Sequence, residues 1–302
     1  MDSPVKVALI GGNSRSARAF LELSGRASPA VECLSFVRGP DFAGDEQTVV
    51  VPDYSAITPD MLRGCTAVIN FVGAIKAPTE SEYMRVNAVL ALGLAEAARA
   101  AGAAHFIQLS SLSVYGRAQW VDQDTPVAPV TPYGRSKLAA ERLLSPLDNT
   151  GFRVTLLRIP IIYGRGTRSK LSSLVTLLRR VRLLPAPRPL PRRSIISYRN
   201  LVHVLLDLLK FPRGGISFAA DPQPLRLDDL LQVLPFRARV IQLPPVLFAP
   251  IRGLAPSLYS SLFASMEVSG DCLLSPADPP LVPTAQELGA AFGGEPEPLP
   301  HA

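Results

Sequence analysis

Residues 5–12 read Val5-Lys6-Val7-Ala8-Leu9-Ile10-Gly11-Gly12, a short apolar run that ends in two glycines. Such a run predicts a strand that is buried on both faces, as the strands of parallel sheets are. The next segment can open a helix, and a turn from a buried strand into a helix can bind a pyrophosphate on its N–H groups. The usual fingerprint of this turn has three glycines, and counted from Gly11 the later positions here hold Ser14 and Ala17. We therefore predict a dinucleotide-binding turn, with an ordinary strand–turn–helix as the alternative.

Apolar runs alternate with helix-like segments along the first half of the chain. This alternation predicts an α/β fold with a doubly wound parallel sheet of the Rossmann type. Ligands of such sheets bind at the carboxyl ends of the strands, so the residues that follow each strand are the candidates for function. The further predicted strands are Val31–Val37, Thr48–Val51, Ala67–Gly73, Phe106–Leu109 and Val154–Arg158, and the clearest helices are Glu82–Ala101 and Tyr133–Leu144.

The stretch Thr131-Pro132-Tyr133-Gly134-Arg135-Ser136-Lys137 predicts a helix start. Thr131 suits the N-cap and Pro132 the first helical position. Tyr133 and Lys137 are four residues apart and share a helix face. An ammonium beside a phenol favours phenolate and lowers the pKa of the phenol, so the pair could exchange a proton with a carbinol hydroxyl. An exposed helix that simply carries Tyr and Lys is the alternative.

The second predicted strand ends at Arg38. An acidic residue at such a strand end binds the adenosine ribose hydroxyls, whereas an arginine accommodates a 2′-phosphate. Together with Arg15 in the glycine turn, Arg38 leaves NADP as an alternative cofactor to NAD.

Composition describes a globular enzyme-sized chain of 302 residues, with 47% hydrophobic and 19% charged residues. Three cysteines and three histidines are scattered without metal-ligand spacing, so we predict no metal and no disulfide. The N-terminus resembles no signal peptide, and we predict a cytoplasmic protein. The apolar stretch 240–263 is broken by prolines and Arg252, which disfavours a transmembrane segment and leaves contact with a membrane surface open.

The formal charge of +6 is unevenly distributed. Residues 151–206 hold twelve Lys or Arg and no Asp or Glu, which leaves 31 − 12 = 19 basic against 25 acidic residues elsewhere. One basic segment in an otherwise acidic chain favours a small anionic ligand over a nucleic acid. A solvated basic loop explains the charge equally well.

The ordered set of motifs resembles the extended short-chain dehydrogenase/reductases, and within them the NAD-dependent epimerase/dehydratase family. The resemblance rests on the glycine turn, Asp53, Ile69-Asn70-Phe71-Val72-Gly73, Asn87, Ser110–Gly116, Tyr133-x-x-x-Lys137 and Arg158–Gly164. It covers the chain to about residue 292. It implies a catalytic triad of Ser111, Tyr133 and Lys137.

The resemblance also implies the ligand-binding residues. Residues 192–202 resemble the region where nucleotide-sugar epimerases bind the substrate diphosphate, and Arg193 matches the binding arginine. Ile161 replaces an asparagine that many such enzymes carry. The implied substrate residues are Ser111, Ser113 and Arg193. The implied cofactor residues are Gly11, Gly12, Ser14, Arg15, Ala17, Arg38, Asp53, Phe71, Val72, Gly73, Asn87, Tyr133, Lys137 and Ile159.

The predicted organisation is a dinucleotide-binding Rossmann domain over residues 1–164, to which segment 194–212 returns. A substrate-binding lobe is predicted for 165–193 and 213–292, and a flexible tail for 293–302.

Three functions are compatible with the sequence. The first is an NAD(P)-dependent epimerase of a nucleotide-sugar, in which Tyr133 transfers the proton. The second is an NADP-dependent reductase that uses the same triad, and the third is a catalytically silent dinucleotide-binding scaffold. A homodimer is left open.

Overall fold

A computed structural model describes residues 5–27, 31–39, 47–167, 170–254, 259 and 263–294. Most of the tail predicted for 293–302 lies outside these ranges. Within them, no helix combines the length and the apolar character needed to cross a bilayer.

Seven parallel strands form the central sheet in the order β12-β7-β5-β4-β1-β2-β3. Successive residues of β1 point to opposite faces, as strand geometry requires. Val7 and Leu9 enter one apolar core, and Ala8 and Ile10 enter the other. The strands are β1 (Val5–Ile10), β2 (Val31–Val37), β3 (Thr48–Val50), β4 (Ala67–Asn70), β5 (His105–Ser111), β7 (Arg153–Ile159) and β12 (Gly215–Phe218).

Helices cover both faces of this sheet. The first core packs α1 and α6 against the strands, and the second packs α3 and the end of α4. This layering confirms the doubly wound α/β fold. The helices are α1 (Arg15–Ala27), α2 (Glu80–Met84), α3 (Leu90–Ala100), α4 (Pro132–Leu144), α5 (Lys170–Val181), α6 (Tyr198–Lys210), α7 (Leu227–Val233), α8 (Ala249–Leu254) and α9 (Thr284–Phe292).

Two details differ from the sequence-based prediction. The helix predicted for Glu82–Ala101 is interrupted, since a π-helical turn over Arg85–Val89 separates α2 from α3. The edge strand β12 was not predicted, because its four residues carry no clear alternation. The lobe predicted for 213–292 therefore contributes its first residues to the main sheet.

The remaining elements form a smaller group with its own apolar core, which includes Tyr163, Leu178, Ile195, Leu230 and Leu288. Among the described residues, the strands outside the main sheet pair in four two-stranded ladders, β6–β15, β8–β11, β9–β14 and β10–β13. The strands of the smaller group are β8 (Ile161–Tyr163), β9 (Leu183–Pro187), β10 (Arg192–Arg193), β11 (Ile195–Ser197), β13 (Leu225–Arg226) and β14 (Arg239–Leu243). The other two, β6 (Trp120–Val121) and β15 (Glu267–Val268), pack in a separate apolar cluster with Tyr115 and with Phe218 of β12.

Candidate active site

The carboxyl ends of β1, β4 and β5 lie side by side, because these strands are neighbours in the parallel sheet. Gly11 follows β1, Phe71 follows β4, and Ser111 ends β5. This edge is where an open α/β sheet binds its ligands.

Helix α4 begins as its sequence predicts. The Thr131 hydroxyl accepts a hydrogen bond from the Gly134 N–H at 3.0 Å, and Pro132 is the first helical residue. The cap places Tyr133 in the first turn and Lys137 one turn further along. The ammonium of Lys137 lies 5.8 Å from the centroid of the Tyr133 ring.

Lys137 is buried, and its Nζ donates a hydrogen bond to the Leu109 carbonyl at 2.9 Å. Burial lowers the pKa of Lys137 to about 8, because a charged ammonium loses its hydration there. The carboxylate of Glu141 opposes this shift of the Lys137 pKa. The side chain of Lys137 is therefore held against strand β5 by this hydrogen bond, and its ammonium can lose a proton at moderately basic pH.

Ser111 is oriented by its neighbour Ser113. The Ser111 hydroxyl oxygen accepts hydrogen bonds from the Ser113 N–H at 3.2 Å and from the Ser113 hydroxyl at 3.0 Å. With both bonds accepted, its own proton can be donated to another oxygen. The Ser111 hydroxyl acts to lower the pKa of the Tyr133 phenol.

The pKa of the Tyr133 phenol is nevertheless raised, and burial is the main cause. Tyr83 contacts Tyr133 edge-on with ring centroids 6.3 Å apart, and repulsion between the two phenolates acts in the same direction. The predicted lowering of the Tyr133 pKa by Lys137 is therefore wrong for the protein by itself. The reason is that desolvation of the phenolate outweighs the attraction of an ammonium that is bound to the Leu109 carbonyl.

The loop after β4 is joined to α4 by Asn87. Its amide oxygen accepts from the Ala74 N–H at 2.7 Å, and its Nδ2 donates to the Ala74 carbonyl and, at 2.8 Å, to the Ser136 hydroxyl. A Cβ atom on Gly73 would lie 3.1 Å from the Lys137 Nζ and 3.3 Å from the Asn87 Oδ1. A side chain at this position would therefore crowd the Lys137 ammonium and the Asn87 amide.

The glycine turn is compact despite its two substitutions. Gly11 has a φ of +84°, and a Cβ there would lie 3.0 Å from a methyl group of Val72. The Ser14 hydroxyl accepts from the Ala17 N–H at 3.2 Å and so caps the start of α1. The backbone of Gly12 lies directly against the Ser35 side chain. Small residues at these positions leave a cradle at the helix start that fits the pyrophosphate of a dinucleotide.

Arg38 and Asp53 meet where β2 and β3 end. Their side chains are 3.9 Å apart, and the Arg38 guanidinium lies 5.2 Å from the Tyr54 ring centroid. Hydrogen bonds from Ser55 lower the pKa of Asp53, with a smaller effect from Arg38. Arg15 of the glycine turn donates to the Gly166 carbonyl. Arg38 and Asp53 are partly exposed and accessible to a ligand.

Three predicted cofactor residues have buried or partly buried side chains. Phe71 packs on Phe20 with ring centroids 6.4 Å apart, and Ile159 is paired with Ser111 in the sheet. The Val72 N–H donates to the Asn70 side chain at 3.0 Å. Phe71 and Ile159 could therefore meet a ligand mainly through their backbone.

Arg193 lies in the smaller group of elements, on β10. Its guanidinium donates to the Ala264 carbonyl at 2.7 Å, in a pocket lined otherwise by apolar side chains such as Ile161, Leu174 and Phe263. Burial lowers the pKa of Arg193. Its predicted contact with a diphosphate stays a prediction.

A buried polar network that was not predicted from the sequence lies next to Lys137, one helical turn further along α4. Glu141 follows Lys137 by one helical turn, and its carboxylate binds the Arg158 guanidinium and the Ser110 hydroxyl. Arg158 also donates to the Tyr115 hydroxyl. The four-residue spacing from Tyr133 through Lys137 to Glu141 was the available signal.

Comparison with known proteins gives a consistent result. The model of the NAD dependent epimerase/dehydratase family matches residues 51–214, more than half of the chain. UDP-glucose 4-epimerase of Vibrio cholerae is 29% identical over 163 residues, which are 50% of this chain and 48% of that protein. Ceramide reductase of Caulobacter vibrioides is 30% identical over 161 residues, 53% of this chain and 46% of that protein. The chain spans about half the length of the curated relatives it matches.

The crystal structure of UDP-glucuronic acid 4-epimerase from Bacillus cereus in complex with NAD has the same fold. Its TM-score is 0.71 and its identity 17%, over 95% of this chain and 97% of that one.

Proposed function

The chain belongs to the NAD dependent epimerase/dehydratase family, and we propose that it epimerises a nucleotide-diphosphate sugar at a carbinol carbon. The observation that carries this proposal is the convergence of Ser111, Tyr133 and Lys137 at the carboxyl edge of the sheet. Lys137 is joined to β5 by its bond to the Leu109 carbonyl and lies 5.8 Å from the Tyr133 ring centroid, and Ser111 ends the same strand.

The cofactor proposed for this site is NAD. The helix start after Gly11 would hold its pyrophosphate, Arg38 and Asp53 its adenosine ribose, and Lys137 its nicotinamide ribose. When bound, NAD supplies a hydride acceptor that returns the hydride within the same turnover.

Tyr133 acts as the general base on the sugar hydroxyl and later returns the proton to the resulting oxygen. Ser111 donates a hydrogen bond to that oxygen, since its own acceptor capacity is used by Ser113. The raised pKa of Tyr133 must fall for this role. A protonated Lys137 favours the phenolate but does not outweigh burial in the protein by itself, so the positive charge of an oxidised nicotinamide, when bound, would have to lower the Tyr133 pKa further.

The smaller group of elements is proposed to bind the rest of the substrate. Residues 165–193 and 213–292, without strand β12, form the proposed substrate lobe, and Arg193 is the proposed diphosphate ligand. A guanidinium matches paired phosphate oxygens. Its apolar surroundings in the pocket would strengthen that bond by excluding water.

An NADP-dependent reductase is the second candidate. Arg38 supports it, because an arginine that follows the second strand of such a sheet can accommodate a 2′-phosphate, and its guanidinium packs over the Tyr54 ring. The relative ceramide reductase of Caulobacter vibrioides is consistent with reduction within this family. Net consumption of NADPH, which an epimerase does not need, separates the two functions.

The experiment that tests the proposal is mass spectrometry of small molecules released from the purified protein, followed by turnover assays on UDP-glucose and UDP-N-acetylglucosamine. Released NAD and interconversion of a sugar without net change of cofactor would support an epimerase. If no nicotinamide dinucleotide raises the unfolding temperature in a titration, a silent scaffold is the better account.

A further inference from the structure

The substrate lobe carries an apolar surface that the proposed function does not use. We define it as the arginine-rimmed face, made by the outer side of β9 and β14 and the two short helices that follow β14. These are a 3₁₀ helix over Pro245–Phe248 and α8 (Ala249–Leu254). In β9 and β14 the register places Arg239 beside Leu183 and Ile241 beside Pro185, all four exposed. Their neighbours Leu184 and Val240 point inward to the lobe core. The two strands therefore present one continuous outer face.

The two short helices extend this face. Phe248 is buried against Phe263, with ring centroids 5.2 Å apart, and anchors the first helix. The apolar residues around this anchor point outward: Val246 is 72% exposed, Leu247 59%, and Leu254 90%. Three large aliphatic side chains that are this exposed and lie within nine residues of one another in the chain are typical of an interaction surface.

Arginines border the face and carboxylates are absent from the segments that build it. Residues 151–206 and 230–266 contain no Asp or Glu. Arg188 donates to Gln242 of β14 and so lies beside the start of the short helices, Arg239 is exposed on β14, and Arg252 is exposed on α8. Apolar side chains bordered by cations are the composition of an interfacial membrane-binding element.

We propose that the arginine-rimmed face docks the protein on an anionic membrane surface. The apolar tips would enter the boundary between headgroups and acyl chains, and the arginines would bind lipid phosphates. Charge complementarity decides against a second copy of the chain, because a two-fold contact on this face would bring arginines together. The proposal does not depend on the epimerase reaction.

The test is co-sedimentation of the full chain with vesicles. Binding is expected to phosphatidylcholine vesicles that contain phosphatidylglycerol, and it should weaken with added salt and on pure phosphatidylcholine. Leu247→Glu and Leu254→Glu are each expected to reduce binding by at least about tenfold, since a charge replaces a buried apolar group. Arg239→Gln is expected to reduce binding by about fivefold, from the energy of one basic residue near such a surface.

Phe211→Glu is the matched control, because Phe211 is 56% exposed but lies at the end of α6, away from the face. It should bind vesicles like the wild type. The unfolding temperature of every variant establishes that it is folded. The proposal is overturned if the wild type does not bind anionic vesicles, or if Phe211→Glu loses binding as the face variants do. It is also overturned if the face variants instead abolish a concentration-dependent dimer.

Discussion

The carboxylate of Glu141 and the guanidinium of Arg158 form a buried two-point ion pair one helical turn beyond Lys137. Arg158 Nε lies 3.0 Å and Nη2 2.6 Å from the two carboxylate oxygens, and both side chains are at most 5% exposed. The pair joins α4, which carries Tyr133 and Lys137, to strand β7. It therefore holds α4 in place against the sheet.

Glu141→Gln is expected to destabilise the fold by about 3 kcal/mol, because it leaves the Arg158 charge buried without its partner. Chemical denaturation of the variant and the wild type measures the change in the free energy of unfolding. Glu80→Gln is the control, since it breaks an exposed ion pair of Glu80 with Arg135 and should change stability much less. Equal effects of the two substitutions would contradict the role of the buried pair.

The pKa of Lys137 predicts how stability depends on pH. Its folded value of about 8 lies below the ordinary 10.5, so between these pH values the unfolded chain binds a proton that the folded chain does not. The contribution of Lys137 to the free energy of unfolding should therefore increase as pH rises through this window. Denaturation of wild type and Lys137→Met at several pH values isolates the contribution, which the variant should lack. If the contribution of Lys137 to the free energy of unfolding instead decreased as pH rises, the lowered pKa of Lys137 would be contradicted.

Gly73→Ala is expected to reduce turnover by at least about tenfold, because the new methyl group crowds the Lys137 ammonium and the Asn87 amide, and a small misplacement of Lys137 can cost that much. Turnover of a nucleotide-sugar measures the loss. Gly93→Ala is the control, since nothing lies within 4 Å of a Cβ there and the change should stabilise α3 by about 0.5–1 kcal/mol. Full activity of Gly73→Ala would show that Lys137 tolerates the methyl group.

Arg38→Ala is expected to weaken the binding of NADP by about tenfold or more and to change that of NAD much less. The reason is that a guanidinium–phosphate bond contributes roughly 1.5–3 kcal/mol. Calorimetric titration with each dinucleotide measures the two affinities. An equal loss for both would mean that Arg38 does not read the 2′ position.

Much of the fold could be predicted, because its strands are short apolar runs whose burial needs no knowledge of their partners. The same holds for the start of α4, since Thr131 and Pro132 act locally. The ion pair of Glu141 with Arg158 could not be predicted, because it depends on which face of α4 meets β7. The raised pKa of Tyr133 likewise depends on burial beside Tyr83. The edge strand β12 becomes a strand through its pairing with β7.

The most direct test of the central claim compares the interconversion of a nucleotide-sugar by the wild type, Tyr133→Phe and Tyr83→Phe. Because Tyr133 is the proposed proton carrier, its variant should lose about 10²–10⁴-fold in turnover while still binding NAD. Tyr83→Phe keeps the ring that contacts Tyr133 and should retain most of the activity. Full activity of Tyr133→Phe on every substrate that the wild type converts would contradict the account.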